Sequence, residues 1–294
     1  KSCDDRLRRP MVSLPCRGSK PYCTSRSHRK SYDAIVYRGQ VVSMTLPIGV
    51  VPMELELTYP AQHYDTVVTG RWSATEIEFV ASVLEEYLNE NPYPRVIAHV
   101  PDEGYRVICE RVAASVDVPF EYTSTDHPTT DQSLEALGEA LSGELRYTKA
   151  ERESKTIQAM ADYQFGRGVG PVLFPRASTE LNGRYPKLQV CDGDGEQLAV
   201  MVPQYGLLAL SLAGARRWQE MVSTAPTVHI DGFVPHGDVL APGVVDADTH
   251  IRPGEEVLIE GPEAFGVGRA VMDGQAMVEA QRGVAVDVRH VEAL

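Results

Sequence analysis

Residues 73–123 read SATEIEFVASVLEEYLNENPYPRVIAHVPDEGYRVICERVAASVDVPFEYT, and the order of patterns within that stretch sets the fold class. It opens on Ser73-Ala-Thr-Glu76, a capping box in which hydroxyl and carboxylate each satisfy a backbone donor that a first helical turn leaves orphaned. Ile77, Val80, Ala81, Leu84 and Leu88 follow at helical spacing, and Asn91-Pro92 stops the run. Val96 to Val100 (VIAHV) has the length and apolar character of a buried strand. EGYRVICERVAASV then predicts a second helix, PFEYT another strand, and Asp131 to Leu145 a third helix. Helices alternating with apolar strands indicate an α/β layer domain with a partly parallel sheet, covering residues 31–150.

Upstream, YDAIVY, VVSMTL and MELELTY are apolar runs separated by Gly39, Pro47 and Pro52, which predicts short strands over 31–70. Downstream, the charged KAERESK (149–155) gives way to the glycine-rich DYQFGRGVGPVLFP and to short strands around LQVCD and LAVMVP. A small α+β domain over 151–225 is expected there. Beyond Pro226, turn pairs such as DG, PG and EG separate short strands, as in a small closed barrel over 226–294. The GRGVG run (Gly166 to Gly170) lacks a Walker lysine, so a turn is expected rather than a nucleotide cradle.

At 294 residues the chain is long for one core and sufficient for two or three. No window approaches the ~20 consecutive apolar residues of a membrane span, and the basic, cysteine-containing start is unlike a signal peptide. A soluble cytoplasmic protein is expected, with no membrane partner. Lys1 in place of methionine suggests a processed or truncated chain. Five scattered cysteines (Cys3, Cys16, Cys23, Cys109, Cys191) favour free thiols in a reducing compartment. Cys109 and Cys191 lie in apolar runs and are expected to be inert.

Charge divides the chain unevenly. Residues 1–30 carry nine lysines or arginines against two aspartates, while the remainder carries nineteen against thirty-nine acidic residues, for a net −13. A basic arm precedes an acidic body. Acidity of that size argues against a polyanionic partner unless it is a general adaptation to high salt with basic patches retained.

Within the arm, residues 15–28 read PCRGSKPYCTSRSH, a thiol, an amine, a phenol, hydroxyls and an imidazole with almost no apolar residue among them. Cys16 suits a nucleophile, His28 its base, and Lys20 a cation that steadies a developing anion. Two other readings stand beside this one. A disordered basic arm would only grip RNA, and Cys3, Cys16, Cys23 and His28 would make four zinc ligands, though their spacing fits no standard finger. Further along, Glu54 and Glu56 either help complete the site, since free lysine needs a carboxylate for its ammonium group, or form the solvent face of an alternating strand. Tyr59 and Asp65 flank Pro60 in a loop, where functional groups concentrate, with His63 between them. His99 ends an apolar strand and is therefore either a ligand at the carboxyl edge of a parallel sheet or a satisfied core histidine.

Three segments carry a resemblance to known families. FVPHGDVLAPGVVDADTHIRPGEEVLIEG, GVGRAVM and RGVAVDVRHV resemble a PUA domain, through Gly237, Asp238, Ala241, Pro242, Gly243, Val244, Pro253, Gly254 and Gly268. ADYQFGRGVGPVLFP (161–175) is similar to the domain that precedes PUA in archaeal tRNA-guanine transglycosylase. Pro15, Cys16, Lys20, Pro21, Tyr22, Ser25 and His28 meet the pattern of the archaeosine synthase alpha subunit, a paralogue of that enzyme, and ELELTYPAQHYD (54–65) also resembles that family. Family members carry a large transglycosylase-like domain ahead of this motif, which is absent here, so a C-terminal portion or a split subunit is implied.

The resemblance implies an α/β multidomain chain ending in a PUA pseudobarrel. It also implies addition of free lysine to the nitrile of 7-cyano-7-deazaguanine in the tRNA D-loop, with no further cofactor. A radical S-adenosylmethionine partner, a separate transglycosylase-like domain or chain, and an archaeal, halophilic source are implied with it. On that reading Cys16, Lys20, Tyr22, Ser25 and His28 are catalytic, and Tyr59, Asp65 and His99 contribute to lysine binding. Arg252, Arg269, Arg282 and Arg289 on the barrel and Arg167 before it contact RNA. A noncatalytic tRNA-docking subunit is the alternative.

Overall fold

The computed structural model describes residues 9–16, 18–64 and 71–294. They fall into two compact units that divide between Arg152 and Glu153.

The first unit is built on β1 (Met11–Pro15), every residue of which is buried. The basic arm expected over residues 1–30 is therefore corrected from Arg9 on: averaging charge over thirty positions hid the largely apolar run MVSLP, which forms a strand buried on both faces. β1 pairs in parallel with β2 (Gln40–Thr45) on one side and with β4 (Val96–Ala98) on the other. β5 (Phe120–Tyr122) extends the sheet in parallel beyond β4, and β3 (Gly49–Pro52) runs antiparallel along the far edge of β2. The order is β3-β2-β1-β4-β5.

Side chains alternate across this sheet as strand pleating requires. Met11, Val42, Met44, Val96 and Ala98 meet α2 (Ala74–Glu90) and α3 (Gly104–Ala113) on one face. Val12, Leu14, Val41 and Ile97 pack against Ile35 of α1 (Arg26–Ile35) and against Leu137 and Leu141 in and after α4 (Asp131–Ala140) on the other. Both capping-box hydrogen bonds at Ser73 and Glu76 are present, at 3.2 and 2.7 Å, and Val80, Ala81, Leu84 and Leu88 form the buried stripe of α2.

Two expected strands take other forms. YDAIVY is the C-terminal half of α1, which His28, Ser31 and Ile35 bury at helical spacing; the helix ends at Val36 and Tyr37, both left-handed at φ 49° and 61°. A six-residue apolar run carries too little periodicity to separate strand from buried helix. MELELTY begins with a 3-10 turn at Met53–Leu55, directly after the edge strand has ended at Pro52.

The division falls within α5 (Lys149–Phe165), whose residues from Glu153 on begin the second unit, and the GRGVG turn leads from it into α6 (Val169–Leu173). Asp162 Oδ1 accepts the Gly170 N–H at 2.7 Å, and a Cβ at Gly170 would lie 2.1 Å from the Gln158 carbonyl oxygen, so the glycine there serves helix packing. An antiparallel meander follows, β6 (Thr179–Arg184), β7 (Lys187–Asp192), β8 (Gln197–Val202) and β9 (Leu207–Leu210), with α7 (Leu212–Met221) after it. The last part is a six-stranded pseudobarrel. It comprises β10 (Thr227–Ile230), β11 (Val239–Leu240), β12 (Val244–Ala247), β13 (Glu256–Gly261), β14 (Ala264–Ala270) and β15 (Val284–Ala293), in the order β11-β15-β14-β13-β10-β12. A short helix, α8 (Gly274–Glu279), packs on it. Within this unit, Glu256 accepts the Leu210 N–H at 2.9 Å and so ties meander to barrel. Among the described residues no helix is long and apolar enough to cross a membrane.

Candidate active site at the carboxyl edge of β1

The chain leaves β1 toward β2 on one side and later returns to β4 on the other, so strand order reverses at β1. Open α/β sheets bind ligands at the carboxyl ends of the strands flanking such a reversal. The residues at that edge are Cys16 directly after β1, Thr45 at the end of β2, His99 directly after β4, and Thr123 directly after β5. The motif fills the connection from β1 to α1: Cys16 on the strand end, Lys20-Pro21 as a cis peptide, Tyr22–Thr24 as a 3-10 turn, Ser25 as the N-cap, and His28 in the first turns of α1.

The fold brings four of the motif side chains together. Cys16 is 5% exposed and its backbone N–H continues the β1–β2 ladder to the Met44 carbonyl at 2.9 Å. Its Sγ lies 3.0 Å from the hydroxyl of Tyr105 on α3. Tyr22 is fully buried; its ring stacks on the His28 imidazole with centroids 5.0 Å apart. His28 is buried as well, with Nε2 3.4 Å from Ser43 Oγ of β2. The Tyr22 hydroxyl meets that of Tyr64, which in turn meets Thr45 Oγ1, a chain of three hydroxyls. Lys20 places its ammonium 3.5 Å from the centre of the Tyr64 ring. Ser25 is buried with Oγ 3.0 Å from Ser27 Oγ, so it serves the start of α1 and not this cluster.

Electrostatics follow from burial. Burial, reinforced by the Tyr64 hydroxyl, pushes the Tyr22 phenol far above its ordinary range, and burial raises Tyr64 too. These hydroxyls remain protonated donors across the working pH range. Cys23, outside the motif pattern, is pushed up to about 12 by burial and by the neighbouring Glu56 carboxylate.

The segment 54–65 contributes differently from expectation. Tyr59 is 64% exposed, with its ring 6.5 Å from that of the exposed His63, and Asp65 lies outside the described residues. Glu56 is 1% exposed and accepts the Cys23 N–H at 3.0 Å; burial lifts its carboxyl to about 7. The residues missed in the sequence are thus Tyr64 and Tyr105, while Glu56 follows the site reading and not the solvent-face one. Tyr64 neighbours flagged positions, but nothing in the chain marks Tyr105, which arrives from 89 residues away.

His99 sits at the carboxyl edge as its strand required, yet both ring nitrogens are engaged, Nδ1 with Thr123 Oγ1 at 3.0 Å and Nε2 with the Pro128 carbonyl at 2.6 Å. Buried completely, and with its pKa lowered by that burial, it is a satisfied neutral core histidine. Among the described residues no group of three or more His, Cys, Asp or Glu side chains is arranged to hold a metal, and Cys3 lies outside them.

In the second unit, Arg289 pairs with the buried Glu256 carboxylate, and Arg269 donates to the Gly254 carbonyl at 3.1 Å while lying 4.7 Å from the Tyr205 ring centre. Arg252 is exposed and donates to the Thr249 and Ile251 carbonyls. Arg167 and Arg282 are exposed.

Comparison with known proteins places these parts in context. Residues 2–141 match a domain of unknown function (DUF5591), residues 155–224 the patch-forming domain C2 of tRNA-guanine transglycosylase, and residues 232–291 the PUA domain. The chain is 55% identical over 288 residues to archaeosine synthase of Haloferax volcanii, a match covering 98% of this chain and 49% of that protein. It is 46% identical over 298 residues to archaeosine synthase subunit alpha of Methanosarcina acetivorans, covering 97% and 47%. The crystal structure of AF0587, a protein of unknown function, is similar with a TM-score of 0.78 at 31% identity, covering 96% of this chain and 94% of that one. The chain spans about half the length of the curated relatives it matches.

Proposed function

We infer that the chain is a member of the archaeosine synthase alpha-subunit family, and we propose from its likeness to those proteins that it carries the lysine-transfer step of archaeosine formation on tRNA. The observation that supports this most directly is the convergence of Cys16, Lys20, Tyr22 and His28 at the carboxyl edge of β1, where the strand order reverses.

The reaction follows from the chemistry of a nitrile. Cys16 thiolate adds to the nitrile carbon of 7-cyano-7-deazaguanine, one carbon–nitrogen π bond opens, and the nitrogen takes a proton to give a thioimidate. The ε-amine or α-amine of free lysine then adds to the same carbon; the carbon–sulfur bond breaks, the thiolate returns, and the amine proton is lost. The product is an amidine, and no bond is oxidised or reduced. His28 carries protons, while Lys20 and the Tyr22 hydroxyl donate to the developing imide nitrogen or to a tRNA phosphate. Cys16 is 5% exposed, so admitting the base requires the side chains around it to open.

The PUA pseudobarrel and the C2-like meander supply tRNA contacts. Exposed Arg167, Arg252 and Arg282 suit phosphates, whereas Arg269 and Arg289 are engaged within the unit. A radical S-adenosylmethionine partner completes archaeosine from the lysine adduct, and a transglycosylase-like domain or chain works beside this one. The net charge of −13 suits a cytoplasm of high salt, in which shape contacts to RNA count for more than phosphate charge.

The deciding experiment measures lysine transfer to nitrile-bearing tRNA by the chain and by Cys16→Ser, with mass spectrometry for a covalent tRNA–protein adduct. Loss of both turnover and adduct in the variant is expected. Undiminished turnover overturns the covalent mechanism, and turnover that appears only when the transglycosylase-like portion is added favours a tRNA-docking role.

A further inference from the structure

Tyr105 lies outside the motif, yet its hydroxyl lies 3.0 Å from the Cys16 Sγ, with both residues buried. Its ring is fixed. Trp72 meets it edge-on with centroids 4.8 Å apart at 73°, and the preceding residue, Gly104, has no room for a side chain because a Cβ there would lie 2.2 Å from the Trp72 indole. Tyr105 is also in the opening turn of α3, whose Ile108, Cys109 and Val112 are buried against the same core as Cys16. The Trp72 ring and the buried face of α3 thus hold the phenol with its oxygen at the sulfur.

We propose that Tyr105 is the positioning residue of Cys16: it holds the sulfur at the carboxyl edge of β1 and donates its hydroxyl hydrogen bond to the thiolate. In the resting pair either S–H or O–H can donate. Once the thiol has lost its proton only the phenol can, and the contact becomes charge-assisted and stronger. A donor that bonds the ionised form favours that form. The phenols of Tyr22 and Tyr64 are within electrostatic reach of Cys16, with the Lys20 ammonium over the Tyr64 ring and His28 stacked on Tyr22. Tyr105 is distinguished by direct contact. The proposal rests on Cys16 as the nucleophile and names the residue that prepares it.

The test reads ionisation, not turnover. The full chain is labelled with 13Cβ-cysteine, the Cys16 resonance is assigned with Cys16→Ser, and its shift is titrated in the unaltered sequence and in Tyr105→Phe. The midpoint is expected to lie higher in Tyr105→Phe, as the loss of a hydrogen bond to a charged group requires. A second variant keeps the ring and the packing: 3-fluorotyrosine at position 105 is a stronger donor and moves the midpoint down. Superimposable titrations, shifts of opposite sign, or a Cys16 that does not ionise before the chain unfolds overturn the proposal. Retained lysine transfer by Cys16→Ser would refute the covalent reading while leaving these midpoints unchanged, so the two failures are distinguishable.

Discussion

Glu56 accepts the backbone N–H of Cys23 at 3.0 Å, so a buried carboxyl 33 residues downstream holds the 3-10 turn that aims Tyr22 into the site. Burial raises that carboxyl from 4.5 to about 7, which makes it more proton-bound in the folded chain than in the unfolded one. The stability it contributes is full below pH 4.5 and is lost as pH rises through 7. Urea unfolding of Glu56→Gln is expected to lack this component: between pH 4.5 and 8 the unaltered chain loses about 3 kcal/mol relative to the variant. Parallel stability curves for the two proteins would refute the coupling.

His99 titrates in the opposite sense. Its pKa is lowered by burial, so its contribution is present above the unfolded value of 6.5 and is lost as pH falls below it. His99→Gln keeps neutral hydrogen-bonding groups beside Thr123 and the Pro128 carbonyl. Relative to that variant, the unaltered chain should lose stability between pH 7.5 and 5.5, roughly the interval in which an unfolded histidine takes up its proton. An equal change in both proteins would show that His99 is not held neutral.

Arg289 and Arg282 separate structural arginines from RNA contacts. Arg289→Ala leaves the Glu256 carboxylate buried without its guanidinium partner and is expected to cost about 3–5 kcal/mol in unfolding of the second unit. Arg282 is exposed, so Arg282→Ala should change stability by no more than about 0.5 kcal/mol. It should weaken tRNA binding and reduce the salt slope by about 1. Tight tRNA binding with an unaltered salt slope in Arg282→Ala removes that residue from the interface.

Gly104→Ala probes the support of the site. The added methyl meets the Trp72 indole at 2.2 Å, and displacing that ring frees Tyr105. A stability loss of about 1–3 kcal/mol is expected, the usual cost of overpacking, together with faster reaction of the Cys16 thiol with a neutral alkylating reagent. Unchanged thiol reactivity would mean that Trp72 does not govern the position of Tyr105.

Much of the first unit is legible locally. Ser73 and Glu76 act within one turn, and the stripe from Val80 to Leu88 needs only the helix period, so α2 is readable without tertiary knowledge. The motif is likewise readable as a concentration of reactive groups. The burial of Met11–Pro15 is not, because four apolar residues and a serine among nine basic residues average to a polar arm. Glu56 misleads for a different reason: alternation with Leu55 and Leu57 suggests a strand face, whereas the backbone turns after Pro52 and carries the carboxyl inward. Tyr105 and Tyr64 join the site through crossovers, and a crossover's endpoint depends on strand order, which no window of sequence contains.

The central place of β1 also governs how this protein can be cut. Residues 11–15 join β2 on one side and β4 on the other, so a chain trimmed to begin at residue 31 would lose the middle of its sheet. It would be left with two raw, unpaired strand edges that invite self-association. The candidate site and the scaffold share one seam of backbone, and a fragment that keeps both must begin ahead of Met11.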